Sequence, residues 1–152
     1  MEIKQKNYEL DLPEIEGNSL IIIPERYCLG SDEGMYSSTS ISFMKDIGQK
    51  IPVEFLVDPK SLLEQRSFEW FGPTLYIATK LITEYPDIID LVVDAIANCA
   101  KRMTVRSDSA VLKFNVICEV KNDEKKVELN YEGSLEGLKE LKEILKEVVN
   151  GK

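Results

Sequence analysis

The 152-residue chain contains no histidine, which removes the commonest general base and the commonest metal ligand from its chemistry. Ser-His-Asp and Cys-His catalysis, histidine-ligated zinc and phosphohistidine transfer are therefore excluded within this chain. Any catalysis has to use carboxylates, Lys, Tyr or Cys, or groups brought by a partner. No convergent catalytic set is visible and no cofactor or metal is implied, so an enzyme is the less favoured expectation.

Positive charge is scarce as well: 19 Lys and Arg face 27 Asp and Glu, for a net charge of −8. The mean field repels phosphate backbones, so no nucleic-acid partner is expected unless basic residues cluster on one face. Lys101, Arg102 and Arg106, with Lys113 nearby in sequence, are the residues available for such a cluster. Cysteine is limited to Cys28, Cys99 and Cys118, which are widely spaced, odd in number and without a CxxC pair. Neither a disulfide framework nor a thiol metal motif follows. The opening segment MEIKQKNYELDLPEIEG lacks the apolar core of a signal peptide, and a cytoplasmic location with reduced thiols is expected. The most apolar window, residues 73–100, is interrupted by Lys80, Glu84, Pro86, Asp87, Asp90 and Asp94. A membrane-spanning helix needs roughly 20 uninterrupted apolar residues, so no membrane partner is expected.

What is present describes an ordinary globular chain, with 43% hydrophobic and 30% charged residues. One domain over 1–152 is expected, with an internal joint at 104–109. Tyr8, Leu10 and Leu12 alternate and predict a short edge strand ended by Pro13. Leu20 to Ile23 is a continuous β-branched run, the pattern of a strand covered on both faces. A long polar loop follows from Glu25 to Thr39, and Ile41, Phe43, Met44 and Ile47 then repeat with helical spacing up to Gly48. Val53 to Val57 predicts a second strand, which makes a βαβ unit with the long loop at the carboxyl end of its first strand. Ser61 to Gln65 predicts one or two helical turns. Pro73 predicts the first residue of a helix running to Ile82, and Tyr85-Pro86 separates it from a second helix over 87–103.

The last third has the cleanest pattern. Leu112, Phe114, Val116, Cys118 and Val120 alternate with more polar neighbours, as do Val127, Leu129 and Tyr131, and a charged turn lies between them. Leu138, Leu141, Ile144, Leu145 and Val148 then form the apolar stripe of a helix predicted over 135–149 and capped by Ser134. The fold class is α+β: an N-terminal βαβ-like unit, a central helical hairpin, and a C-terminal antiparallel β-hairpin followed by an amphipathic helix.

Three groups of residues carry functional expectations. Ligands favour the carboxyl edge of a parallel sheet, so Arg26, Cys28, Asp32, Ser38 and Asp58 are candidate ligand-binding residues around the 25–40 loop. Arg26 would activate the Cys28 thiol, but Glu25, Asp32 and Glu33 oppose that shift and no general base accompanies it. Ser37 to Ser40 offers hydroxyls for an anion, although helix capping explains them more simply. Trp70 and Phe71, together with Ile89, Val92, Val93 and Ile96 from a helix apolar over most of its girth, are candidate interface residues. Asp87, Asp90 and Asp94 share one helix face, where a solvated or interface stripe is a plainer reading than a metal site.

The preferred function is a non-catalytic protein-interaction or assembly module, either a homo-oligomer or bound to a protein partner. One alternative is a small enzyme or ligand sensor using the 25–40 loop. Another is an acidic inhibitor or nucleic-acid mimic acting on a basic partner, for which net charge is the sole argument.

Overall fold

The computed structural model describes residues 2–8, 17–24, 35–37, 39–59, 61–63, 69–103, 111–120 and 125–150, with the side chains at 35, 61–63, 69–71 and 103 left out of the description. In chain order the elements are β1 (Glu2–Asn7), β2 (Leu20–Ile23), β3 (Met35–Ser37), α1 (Thr39–Ile47), β4 (Val53–Phe55) and β5 (Ser61–Leu63). They continue with β6 (Glu69–Ile77), α2 (Thr79–Glu84), α3 (Ile88–Met103), β7 (Val111–Glu119), β8 (Lys126–Gly133) and α4 (Leu138–Val149). The expected joint at 104–109 lies outside the described residues.

Six strands form one mixed sheet in the order β1-β8-β7-β6-β2-β4, and β3 pairs with β5 in a small parallel sheet. The βαβ unit expected from the sequence is present: β2 and β4 are parallel neighbours, joined through β3 and α1. A second parallel crossover leads from β6 through α2 and α3 to β7. The hairpin of β7 and β8 is antiparallel, with Phe114 opposite Tyr131 and Val116 opposite Leu129.

Helices α1, α3 and α4 pack side by side against one face of the sheet. The core lies between these layers. Leu20, Ile22, Leu75, Ile77, Leu112, Phe114, Val116 and Cys118 supply its floor, and Phe43, Ile47, Val92, Ile96, Leu141 and Leu145 supply its roof. Because side chains alternate along a strand, β2 sends Ile21 and Ile23 to the other face. There they meet Tyr76, Ala78 and Ile117 in a smaller cluster. This is why Leu20 to Ile23 reads as an unbroken apolar run, and all four residues are buried.

Four expectations need correction or relocation. Pro73 does not begin a helix; it lies inside β6, which runs on to Ile77. Two β6 residues, Gly72 and Pro73, stand against Phe114 alone where the β6–β7 register shifts, so the missing proline N–H falls at a bulge rather than in the regular ladder. Beyond it, Thr74 to Ile77 are β-branched, aromatic or large aliphatic residues held between β2 and β7, and tertiary pairing outweighs the helix-start signal. The segment expected to turn helically after Ser61 is instead β5, paired with β3, and β3 itself interrupts the long loop. The N-terminal edge strand begins earlier than expected, at Glu2; Leu10 and Leu12 lie outside the described residues. Finally, α4 starts at Leu138 with Gly137 as its N-cap residue, and Ser134 instead accepts the Tyr131 hydroxyl on its carbonyl at 2.5 Å.

Among the described residues no helix is long and apolar enough to cross a membrane.

Candidate functional site

Of the five residues expected to form a ligand site, Arg26, Cys28, Asp32 and Ser38 lie outside the described residues. Asp58 is exposed just beyond β4. Near it, described side chains pack on one another. The Tyr36 hydroxyl donates to the Val57 carbonyl at 2.6 Å and accepts from the Val57 N–H at 3.2 Å. Its ring meets Phe55 edge-on at 4.7 Å, and burial pushes the phenol pKa up. At the start of α1 the Ser37 hydroxyl lies 2.9 Å from that of Thr39 and 3.0 Å from that of Ser40, with all three residues buried. Hydroxyls that satisfy one another in the interior hold a junction together and leave little for an incoming anion.

The candidate interface residues of α3 are covered by the chain itself. Ile89, Val92, Val93 and Ile96 are at most 3% exposed, because α3 lies on the sheet with α1 on one flank and α4 on the other. Its apolar girth reflects this central position, and no second subunit is needed to bury it. Trp70 and Phe71 occupy β6 opposite Leu112 and Lys113, with their side chains outside the description.

The acidic stripe of α3 is an interhelical contact. Lys142 of α4 reaches Asp94 at 2.8 Å and Asp90 at 3.8 Å, and Lys146 reaches Asp90 at 3.0 Å. The hydrogen bond to Asp94 holds the Lys142 pKa above its ordinary value. Among the described residues no group of three or more acidic or cysteine side chains is arranged to hold a metal ion.

The described cysteines are unsuited to nucleophilic work. Cys99 and Cys118 are both fully buried, and desolvation pushes their thiol pKa values to about 11 and about 12. At neutral pH both stay protonated and out of reach.

Among the described residues two surface features remain. Where the carboxyl ends of α1 and α3 meet, a cavity of ≈ 490 Å³ is lined by Asp46, Gln49, Lys50, Asn98, Lys101 and Arg102. The Arg102 guanidinium grips the Asp46 carboxylate with both terminal nitrogens, one of them at 3.1 Å, and this pairing raises its pKa. Lys101 and Arg102 stand out in the sequence as basic residues, but Lys50 joins them only through the α1–α3 packing. Arg106 is outside the described residues, and Lys113 lies away on the sheet beside Glu132, at 3.7 Å.

The second feature is the edge formed by β1. Five of its six residues are exposed, and β8 is its sole strand partner among the described residues. Tyr8, one residue past the strand, donates its N–H to the Lys126 carbonyl of β8 at 2.9 Å. Alternation then turns the backbone groups of Lys6, Lys4 and Glu2 toward β8, and those of Asn7, Gln5 and Ile3 outward. On the sheet face away from the helices this edge carries Glu2, Lys4 and Lys6. They continue across β8 and β7 as the rows Glu2-Glu132-Lys113 and Lys4-Asn130-Asn115. Charge and amide groups thus cover the half of this face that the apolar cluster does not reach.

The chain matches no protein-family profile, no curated protein and no solved structure.

Proposed function

We propose that the protein is a non-catalytic interaction or assembly module that engages an extended protein segment along β1, adding a strand to the six-stranded sheet. The observation that carries this reading is the outward row of Ile3, Gln5 and Asn7 backbone groups on a strand exposed at five of six positions. Such an edge offers main-chain hydrogen bonds for affinity and alternate side chains for selectivity. Lys4 and Lys6 fit the same reading, because charged side chains on an edge discourage indiscriminate pairing and favour a partner with acidic residues opposite them. The two buried, proton-holding thiols and the absent histidine support binding over catalysis.

Substituting Gln5 by proline tests the reading, because it deletes an outward N–H and leaves the β8 ladder intact. Light scattering across micromolar concentrations, and titration with extended acidic peptides, would show association by the native chain and its loss in Gln5→Pro. Amide exchange at Ile3, Gln5 and Asn7 would slow in the native complex. A monomer whose outward amides exchange freely at every protein and peptide concentration would sink both halves of the proposal.

A further inference from the structure

The cavity at the carboxyl ends of α1 and α3 plays no part in strand addition, and its chemistry is unlike that of the chain as a whole. Of its six lining side chains three are cationic, Lys50, Lys101 and Arg102, and two more, Gln49 and Asn98, carry amide N–H donors. The one carboxylate, Asp46, is occupied by Arg102 through paired hydrogen bonds. That pairing takes two of the five guanidinium N–H groups, and a further hydrogen bond to the Cys99 sulfur helps fix the plane of the group. Lys50 and Lys101 are exposed and form no ion pair with a described residue, in contrast to Lys142 and Lys146, which are tied to the α3 aspartates.

A simpler account is that these cations complement the negative carboxyl ends of two helices. The magnitudes show that this is insufficient. Each helix end carries roughly half a negative charge, so two ends and Asp46 offset about two of the three positive charges. About one positive charge remains uncompensated, in a protein whose net charge is −8. Lysine and amide donors from the turn after α1 and from α3 line one open hollow of ≈ 490 Å³ beside this residual charge.

We propose that this cavity binds a small phosphate ester. Its phosphate is held by the ammonium groups of Lys50 and Lys101, with the positive charge of Arg102 beside them and Asn98 and Gln49 facing the organic part. A phosphate has the charge and acceptor oxygens that such a donor-rich site lacks. A long polyanion suits it poorly, because the chain's net charge of −8 repels every further charge.

The test is a titration followed by NMR of the ¹⁵N-labelled full chain, with ribose 5-phosphate, inorganic phosphate and a short single-stranded oligonucleotide as separate probes. Ribose 5-phosphate is expected to give saturable shifts at the amides of Lys50, Asn98, Lys101 and Arg102, and to bind more tightly than inorganic phosphate. The double variant Lys50→Gln/Lys101→Gln, which alters exposed side chains alone, should weaken binding at least tenfold. Lys80→Gln/Lys139→Gln, exposed lysines away from the cavity, should leave it unchanged. Equal affinity for phosphate and its ester, tighter binding of the oligonucleotide, or equal losses in the two double variants would each overturn the assignment. Gln5→Pro leaves this site intact, so its binding stands or falls apart from the strand-addition reading.

Discussion

The two faces of the sheet are built from the same strands and do opposite work. On one face β7 and β8 set Leu112, Phe114, Val116, Cys118, Val127, Leu129 and Tyr131 beneath three helices. On the other, residues one step along the same strands are Lys113, Asn115, Glu119, Glu128, Asn130 and Glu132, with Ile117 alone joining the smaller apolar cluster. Stability is concentrated on the first face and freedom to change on the second. Strand alternation ties them together, since a register slip of one residue would exchange them.

The largest expected effect is on the covered face. Val92→Asp would bury an unpaired charge between the sheet, α1 and α4, and should leave no cooperative unfolding transition by circular dichroism. A cooperative transition near that of the native chain would mean that α3 is not central. Phe43→Ala, which empties a fully buried site, should cost about 3–5 kcal/mol in denaturant unfolding. Asn115→Ala on the open face should cost about 1 kcal/mol or less, because the bond it loses, to the Thr74 hydroxyl at 3.2 Å, is only partly buried. Similar losses for the two substitutions would erase the contrast.

A third effect is read from pH. Cys118 has its folded pKa raised by burial to about 12, above the value of an unfolded thiol. The stability tied to its bound proton is therefore complete below the unfolded pKa and is lost as pH rises toward the folded one. Raising the pH from about 8.5 to about 10 should remove roughly 1.3 kcal/mol through this thiol, because the loss begins only above an unfolded pKa of 9.0 and each unit beyond it is worth about 1.4 kcal/mol. Cys118→Val should show a smaller alkaline fall in its denaturation midpoint, and an identical fall would remove Cys118 as a cause. The smallest expected effect is at the rim: Lys142→Ala should cost under about 1 kcal/mol, and less in high salt, because its aspartate partners are largely exposed.

How far the sequence revealed the fold depends on which face a segment occupies. The β7–β8 hairpin and α4 are legible because each has one covered side and one wet side, which imposes a clear period. In β1 the period is nearly absent: Ile3 is its single apolar residue, since an edge strand exposed on both sides needs no others. At β6 the Gly72-Pro73 pair resembles a helix start, and the pairing that makes it a bulge comes from β7, about 40 residues away. The apolar girth of α3 was visible, but its cover comes from α1, α4 and the sheet, contacts that local patterning does not specify. The cavity was half visible. Lys101 and Arg102 mark one wall, and the other wall, with Asp46 and Lys50, is brought to them only by helix packing.

The pairing of β1 with β8 also imposes an order of events. Glu2 lies opposite Glu132 and Asn7 opposite Val127, so the first strand has no seat until the penultimate element exists. During synthesis Glu2–Asn7 must wait as an unpaired segment while more than a hundred residues emerge. Its low apolar content then serves a second end, because a strand that waits so long in water is safest when it offers other nascent chains little to hold.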